Sequence, residues 1–192
     1  HEVGNHTMDH RLAHEVSDGD YEQVSSNNDL IQSYTGQKPT LFRPCGGEYN
    51  DSVQASMKQL GMPLILWDVD TLDWKYRDAT SVKQHILDGA QDGAIVLEHD
   101  LYETTVEGVL AAIDELQQQG YAFVTVSELA KIKGVTLEPG QVYTGFTDED
   151  LGLTTETDAA ANSDSTESTD NTDSADSTDS TANTQASNST SN

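Results

Sequence analysis

Cysteine is almost absent from this chain. Cys45 stands alone among 192 residues, so no disulfide can form within it. That suits the cytosol, and equally the exported proteins of bacteria that use few cysteines. Basic residues are nearly as scarce, nine Lys and Arg against 34 Asp and Glu, for a formal charge of -25. A surface this acidic repels phosphate backbones and anionic lipid, which argues against a nucleic-acid partner and favours a neutral substrate. No apolar run is long enough to span a membrane, and no signal peptide is visible. There is no initiator Met either, and His1-Glu-Val-Gly-Asn5 reads as a strand end running into a loop. The expectation is a fragment that starts in mid-domain.

The composition is uneven. All nine cations lie at or before Lys133, the last bulky apolar residue is Leu153, and Thr155 to Asn192 is almost entirely Ser, Thr, Asp, Asn and Ala. With no apolar surface to bury, residues 155–192 are predicted to be a disordered tail, of a kind common in wall spacers and glycosylated stalks outside cells. Residues 132–154 form a C-terminal extension, and residues 1–131 the folded domain.

Within that domain apolar runs alternate with amphipathic segments. Helices are predicted over Ser25–Tyr34 (Leu30, Ile31 and Tyr34 in phase, Gly36 as stop) and after Asn50 or Asp51 (Val53, Met57, Leu60, with Gly61 as stop). A third opens at Thr80 or Ser81 with Val82 and Ile86 inward. A fourth opens at Thr104 or Thr105 with a stripe of Val106, Val109, Leu110, Ile113 and Leu116, and Ser127 caps a short last one. Strands are predicted at Thr40–Phe42, Pro63–Asp68 (with Trp67 in the core), Ala94–Leu97 and Tyr121–Val126. Short alternation of this kind implies parallel strands with crossover helices, an α/β fold. Arg43, the Asp70–Trp74 segment and His99-Asp100 each follow a strand at its C-terminal end, where active sites of such folds assemble.

The chemistry-bearing residues begin with His6 and His10. Histidines four apart share one face of a helical turn, so both imidazoles can point at one metal ion. His99, at the end of the Ala94–Leu97 run, is placed for a strand to deliver it to the same site. A catalytic zinc normally has three protein ligands plus water, so one ligand remains to be found. His14 makes a competing pair with His10, and His85 falls on the outer side of its helix.

In order along the chain, His6-Thr-Met-Asp-His10, Arg43-Pro-Cys-Gly-Gly47, Asp70-Thr-Leu-Asp-Trp74 and Leu97-Glu-His-Asp100 resemble four motifs of the polysaccharide deacetylase family, also called the NodB-homology domain or carbohydrate esterase family 4. Phe123–Leu129 resembles the family's domain end. The resemblance implies a partial, distorted (β/α) barrel lacking its first strands. It also implies metal-dependent removal of N-acetyl groups from N-acetylglucosamine units, with peptidoglycan the leading substrate and a chitin-like glycan next. His6 and His10 would hold a divalent metal, zinc first, and Arg43 would position the catalytic base. Asp73 would tune His99 as general acid. Cys45 or Gly46 would offer a backbone N–H to the oxyanion, and Trp74 and Leu97 would wall the acetyl group.

Two departures stand out. Cys45 replaces a frequent Pro, and the family's Thr-Phe-Asp-Asp-Gly motif, which carries the base and the third metal ligand, is missing. The chain as given is therefore expected to be inactive. The resemblance places it outside the cell or at the wall, as a monomer acting on an N-acetylated glycan. The alternatives are a non-catalytic surface module that binds or displays glycan on the same fold, and a metal-binding structural domain without a glycan ligand.

Overall fold

The computed structural model describes residues 1–153. The tail expected over residues 155–192 lies outside the described residues. Ten regular elements follow in order: α1 (Tyr21–Thr35), α2 (Asp51–Leu60), β1 (Leu64–Ile65), β2 (Val69–Asp70), α3 (Asp73–Tyr76), α4 (Ala79–Gly89), β3 (Val96–Leu97), α5 (Glu103–Gln118), α6 (Val126–Ile132) and β4 (Val142–Tyr143).

All strand pairing among the described residues is parallel, as the alternating pattern implied. Asn5 bridges Phe42 and Phe42 bridges Leu64. Strand β1 then pairs with β4 through Leu64–Val142 and Ile65–Tyr143, and β2 pairs with β3 through Val69–Val96 and Asp70–Leu97. Between β1 and β2 the chain changes partners: Leu66 N–H donates to the Tyr143 carbonyl, whereas Asp68 and Val69 N–H both donate to that of Ile95. The paired runs are shorter than their apolar runs suggest. Tyr121–Thr125 carries no strand or helix, and it leads into α6, whose cap is Thr125 in a capping box with Glu128 rather than Ser127.

Two apolar clusters hold these layers together. One joins α1 and α2 to the strands through Val24, Phe42, Val53, Met57, Met62 and Leu64; the other joins α4 to α5 through Val82, Ile86, Ala112 and Leu116. Helix α2 follows its sequence pattern closely, with Asn50 accepting from Val53 N–H and Gly61 ending it in the left-handed region. Helices α1 and α5 differ from expectation. In α1 the buried positions are Val24 and Asn28, and Tyr34 is 84% exposed. In α5 the buried positions are Thr105, Gly108, Ala112 and Leu116, while Val106 and Leu110 face outward.

The reason in α5 is close packing. A Cβ on Gly108 would stand 2.6 Å from the Ala79 carbonyl and 2.8 Å from Val82 Cβ, so the face with the smallest residues turns toward α4. Helix α4 is capped by Asp78, which accepts from Ser81 N–H, not by Thr80 or Ser81. Trp67 is only half-buried, its ring lying over Gly47, where any Cβ would come within 2.9 Å of it.

Residues 136–153 belong to the body of the fold. Beyond the β4 pairing, the Gly140 N–H donates to the Met62 carbonyl and its own carbonyl accepts from Gln54 Nε2. Phe146 is fully buried, and its N–H bonds the Gly93 carbonyl. Phe146→Ala should therefore destabilise the protein by about 3–5 kcal/mol, the cost of emptying a core aromatic site. Urea denaturation measures this; a loss below about 1 kcal/mol would mean that the segment is peripheral.

Candidate active site

The site is built from four loops that leave the C-terminal ends of the parallel strands or bridges. The first carries the histidine pair, and its frame is a buried amide. Asn5, 1% exposed, donates through Nδ2 to the Val24 carbonyl at 2.9 Å and to Asn28 Oδ1 at 2.8 Å. Its Oδ1 accepts from Thr7 N–H and from Asn27 Nδ2. His10 N–H in turn donates to Thr7 Oγ1 at 3.0 Å.

No helical turn joins His6 to His10. Thr7 and His10 both have left-handed backbone, with φ of 63° and 57°, and side-chain bonds hold the loop in that conformation. The two rings still meet, with centroids 4.9 Å apart and planes at 79°. Side-chain donors of His6, His10 and Cys45 all lie within 4.8 Å of one another.

His6 Nδ1 faces the Arg43 carbonyl at 2.5 Å. A neutral ring donating there keeps its Nε2 lone pair free, the tautomer that a metal ligand needs. Burial is the main reason that the His6 pKa is pushed down to about 4, with Arg43, His10 and His99 adding positive potential against the carbonyl's opposing pull. His6 is thus a neutral donor through the physiological range. These features fit a divalent cation. Cys45 sits behind the pair, 2% exposed, with Sγ 3.2 Å from Thr7 Oγ1 and burial raising its thiol pKa.

The second loop, Arg43–Gly47, follows the Phe42 bridge. Arg43 is half-buried, and its guanidinium makes no hydrogen bond or ion pair among the described residues. Gly46 is in the left-handed region with φ of 59°, and its N–H donates to no backbone carbonyl among the described residues. His6 and Arg43 also line a cleft of about 470 Å³, together with Val124 and Val126.

The third and fourth loops meet at Asp73. This carboxylate is fully buried and takes four hydrogen bonds. Oδ1 accepts from His99 Nδ1 at 2.9 Å and from Trp74 N–H at 2.8 Å; Oδ2 accepts from His99 N–H at 2.6 Å and from Thr105 Oγ1 at 3.0 Å. Burial by itself would raise the Asp73 pKa, but the bonds from His99 and Thr105 outweigh it and hold the carboxyl below its usual range. A charged Asp73 fixes the His99 tautomer with Nδ1–H inward, leaving Nε2 for chemistry.

Trp74 is half-exposed beside this dyad, whereas Leu97 shows only 6% of its surface. Every residue picked from the sequence therefore lies on one of these four loops or on the strand end feeding it. Thr105 was missed as a site residue, because its threonine reads as an ordinary helix opener; the helix is in fact led by Tyr102 without a side-chain cap. His14 pairs with Glu48 on the surface, and His85 bonds back to its own helix at the Ser81 carbonyl.

Residues 1–65 match the family model described as polysaccharide deacetylase. A deacetylase solved with its substrate superposes with a TM-score of 0.69 at 33% identity, covering 74% of this chain and 70% of that one. The chain belongs to the polysaccharide deacetylase family. The α/β architecture matches structures of this family over part of their length.

The peptidoglycan-N-acetylglucosamine deacetylase PgdA of Listeria monocytogenes is 40% identical over 149 residues, which is 77% of this chain but 31% of that protein's length. A pseudoenzyme of carbohydrate esterase family 4 from Bacillus anthracis superposes with a TM-score of 0.62 at 34% identity, covering 67% of this chain and 46% of that one. The chain thus spans under a third of the Listeria protein.

The depressed His6 pKa makes stability pH-dependent. The unfolded chain protonates this ring near pH 6.5 and the folded chain only near 4, so stability from this group is complete above 6.5 and falls as pH drops to 4. The metal-free protein should lose on the order of 3 kcal/mol over that window relative to His6→Asn, read from urea denaturation of both across pH. Parallel pH profiles for the two proteins would contradict the assignment. Thr105→Val, which leaves Asp73 Oδ2 one donor short, should cost about 1–3 kcal/mol in the same assay at neutral pH.

Proposed function

We propose that this domain takes part in hydrolysing the N-acetyl group from N-acetylglucosamine units of a polysaccharide, peptidoglycan first and a chitin-like glycan next. The observation that carries the reading is the Asp73–His99 dyad on the same rim as the His6–His10 pair. A pair of imidazoles able to hold a cation and a carboxylate-oriented histidine are parts suited to amide hydrolysis.

His6 and His10 would hold a divalent cation, zinc first, which when bound supplies Lewis acidity toward the acetamide carbonyl. Gly46 N–H, free of backbone partners among the described residues, is available to stabilise negative charge on that oxygen as it forms. His99, protonated at Nε2 and held at Nδ1 by Asp73, delivers its proton to the sugar nitrogen as the C–N bond breaks. Buried Asp73 stays charged and stabilises the imidazolium before the transfer. The Arg43 guanidinium, without a partner among the described residues, is available to orient a carboxylate base that takes a proton from water as the water oxygen bonds to the acetyl carbon. Trp74, half-exposed, flanks the acetyl group, with Leu97 beneath. The products are acetate and a free glucosamine amine within the glycan. The work would take place at the cell wall, where such a substrate is found.

Residues 1–192 contain no Thr-Phe-Asp-Asp-Gly segment, so on this reading they release little acetate by themselves. The likeness to both a substrate-bound deacetylase and a pseudoenzyme leaves room for a second reading, a glycan-binding or display module without catalysis.

Acetate release separates the two. With zinc and an Asp-Asp-bearing strand joined ahead of His1, N-acetylglucosamine oligomers should yield acetate, and His99→Ala should lower the rate by roughly 10²–10⁴-fold. Glycan binding without release in the extended protein would favour the binding module. An unchanged rate in the His99→Ala protein would remove this histidine from the mechanism.

A further inference from the structure

A catalytic divalent centre takes three protein ligands and keeps one position open, and His6 with His10 accounts for two of the three. Among the described residues one further side chain reaches them. Donor atoms of His6, His10 and Cys45 all lie within 4.8 Å of one another, and these three are the one group of His, Cys, Asp or Glu side chains there that is gathered closely enough to hold an ion. A tetrahedral cation bonded to nitrogen at 2.0–2.1 Å and to sulfur at 2.3 Å sets its donors about 3.3–3.6 Å apart, so the gap left to close is about 1 Å. His10 can close it. Its residue is exposed, and its ring makes no hydrogen bond among the described residues.

The surroundings of Cys45 suit a ligand sulfur. Sγ lies 3.2 Å from Thr7 Oγ1 and 3.5 Å from the His6 carbonyl. Thr7 Oγ1 already accepts from His10 N–H, so its own proton is free to be donated to sulfur. One hydroxyl thereby steadies both the sulfur and the loop that carries His10, the outer support that metal ligands use. A second observation is independent of that geometry. Asp20 is 1% exposed, and its Oδ1 is the buried side-chain oxygen without a hydrogen bond among the described residues. It stands within electrostatic reach of Cys45. A buried carboxylate left unanswered is costly, and a cation on Cys45 supplies the missing positive charge.

We propose that Cys45 Sγ is the third protein ligand of the cation held by His6 and His10 in residues 1–192, making a site of two imidazoles and one thiolate. This rests on the reading of His6 and His10 as a metal-holding pair. On coordination the S–H bond breaks, its proton leaves to solvent, and the electron pair left on sulfur forms the bond to the cation, with no change of oxidation state. Burial keeps the free thiol protonated, but a coordinating thiol is deprotonated outright. Cys45 stands where the motif that this loop resembles often has Pro, a side chain with no donor atom, so this ligand set is the chain's own. A soft thiolate biases the site toward zinc and away from manganese or magnesium, which favour oxygen donors.

Cobalt(II) is the probe, because a thiolate bound to it gives an intense charge-transfer absorption in the near ultraviolet that imidazole ligands do not give. Reduced, metal-free residues 1–192 titrated with cobalt(II) should develop this band, saturating at an equimolar ratio. Cys45 is the chain's only cysteine, so the band has no other thiolate to arise from. In Cys45→Ala it should vanish while the weaker visible bands of histidine-bound cobalt remain. Zinc affinity, read by competition with a chromophoric chelator, should fall in that variant by at least the roughly 10–100-fold that loss of an outer-shell partner costs. Its preference for zinc over manganese should shrink as well. Circular dichroism shows whether the variant folds; if it does not, the wild-type band decides alone. Cobalt binding without the near-ultraviolet band would overturn this inference and leave the histidine pair standing. Binding of neither cobalt nor zinc would overturn it together with the metal role given to His6 and His10 in the proposed function.

Discussion

A buried carboxylate organises this molecule. Asp73 has no solvent exposure and gains four hydrogen bonds, two of them from His99, one from Trp74 N–H and one from Thr105. Removing such a charge from water costs several kcal/mol unless each lone pair is answered. Because the donors come from α3, the loop after β3 and the first turn of α5, the same bonds that offset the desolvation also fix three elements relative to one another. His99 cannot turn its ring away without taking one of the four hydrogen bonds from the buried Asp73 carboxylate. The orientation of the His99 ring is thereby tied to the satisfaction of a buried charge.

The histidine pair depends on a neutral counterpart of this arrangement. Asn5 uses both ends of its amide, tying the start of the chain to α1 through Val24 and Asn28 while its oxygen holds Thr7. That frame lets Thr7 and His10 occupy strained backbone and so brings two rings together without a helix. Strain stored in this way persists only where the surroundings over-determine it, as they do here. The Arg43 loop joins the two halves: its carbonyl selects the His6 tautomer, and its guanidinium lies within electrostatic reach of Asp73.

Much of this was legible in the sequence. The alternation of apolar runs and amphipathic segments gave parallel pairing, and polar residues at strand ends gave the site's rim, because both follow from chain periodicity alone. Boundaries and faces were less legible. The α5 stripe was assigned to Val106 and Leu110, yet the buried face is the one with Thr105, Gly108 and Ala112. Hydrophobicity ranks Val and Leu above Gly, but an interface close enough to exclude a Cβ selects for smallness instead. Thr105 went unnoticed for a related reason, since a threonine near a helix start signals a cap and its long-range bond to Asp73 has no local signature. Residues 132–154 read from the sequence as a C-terminal extension, and they are held to the domain by β4 pairing and by the buried ring of Phe146.

The chain's amino-acid order by itself determined the family's motifs, the acidic balance and the set of residues able to do chemistry, since these depend only on residue type and spacing. Tertiary structure alone decided which side chains meet and in what state. It turned His6 and His10 toward each other on a non-helical loop, charged Asp73 by surrounding it with donors, and kept His6 neutral by burying it. Those outcomes turn on distances and on exclusion of water, quantities that long-range packing sets and that no local stretch of sequence contains.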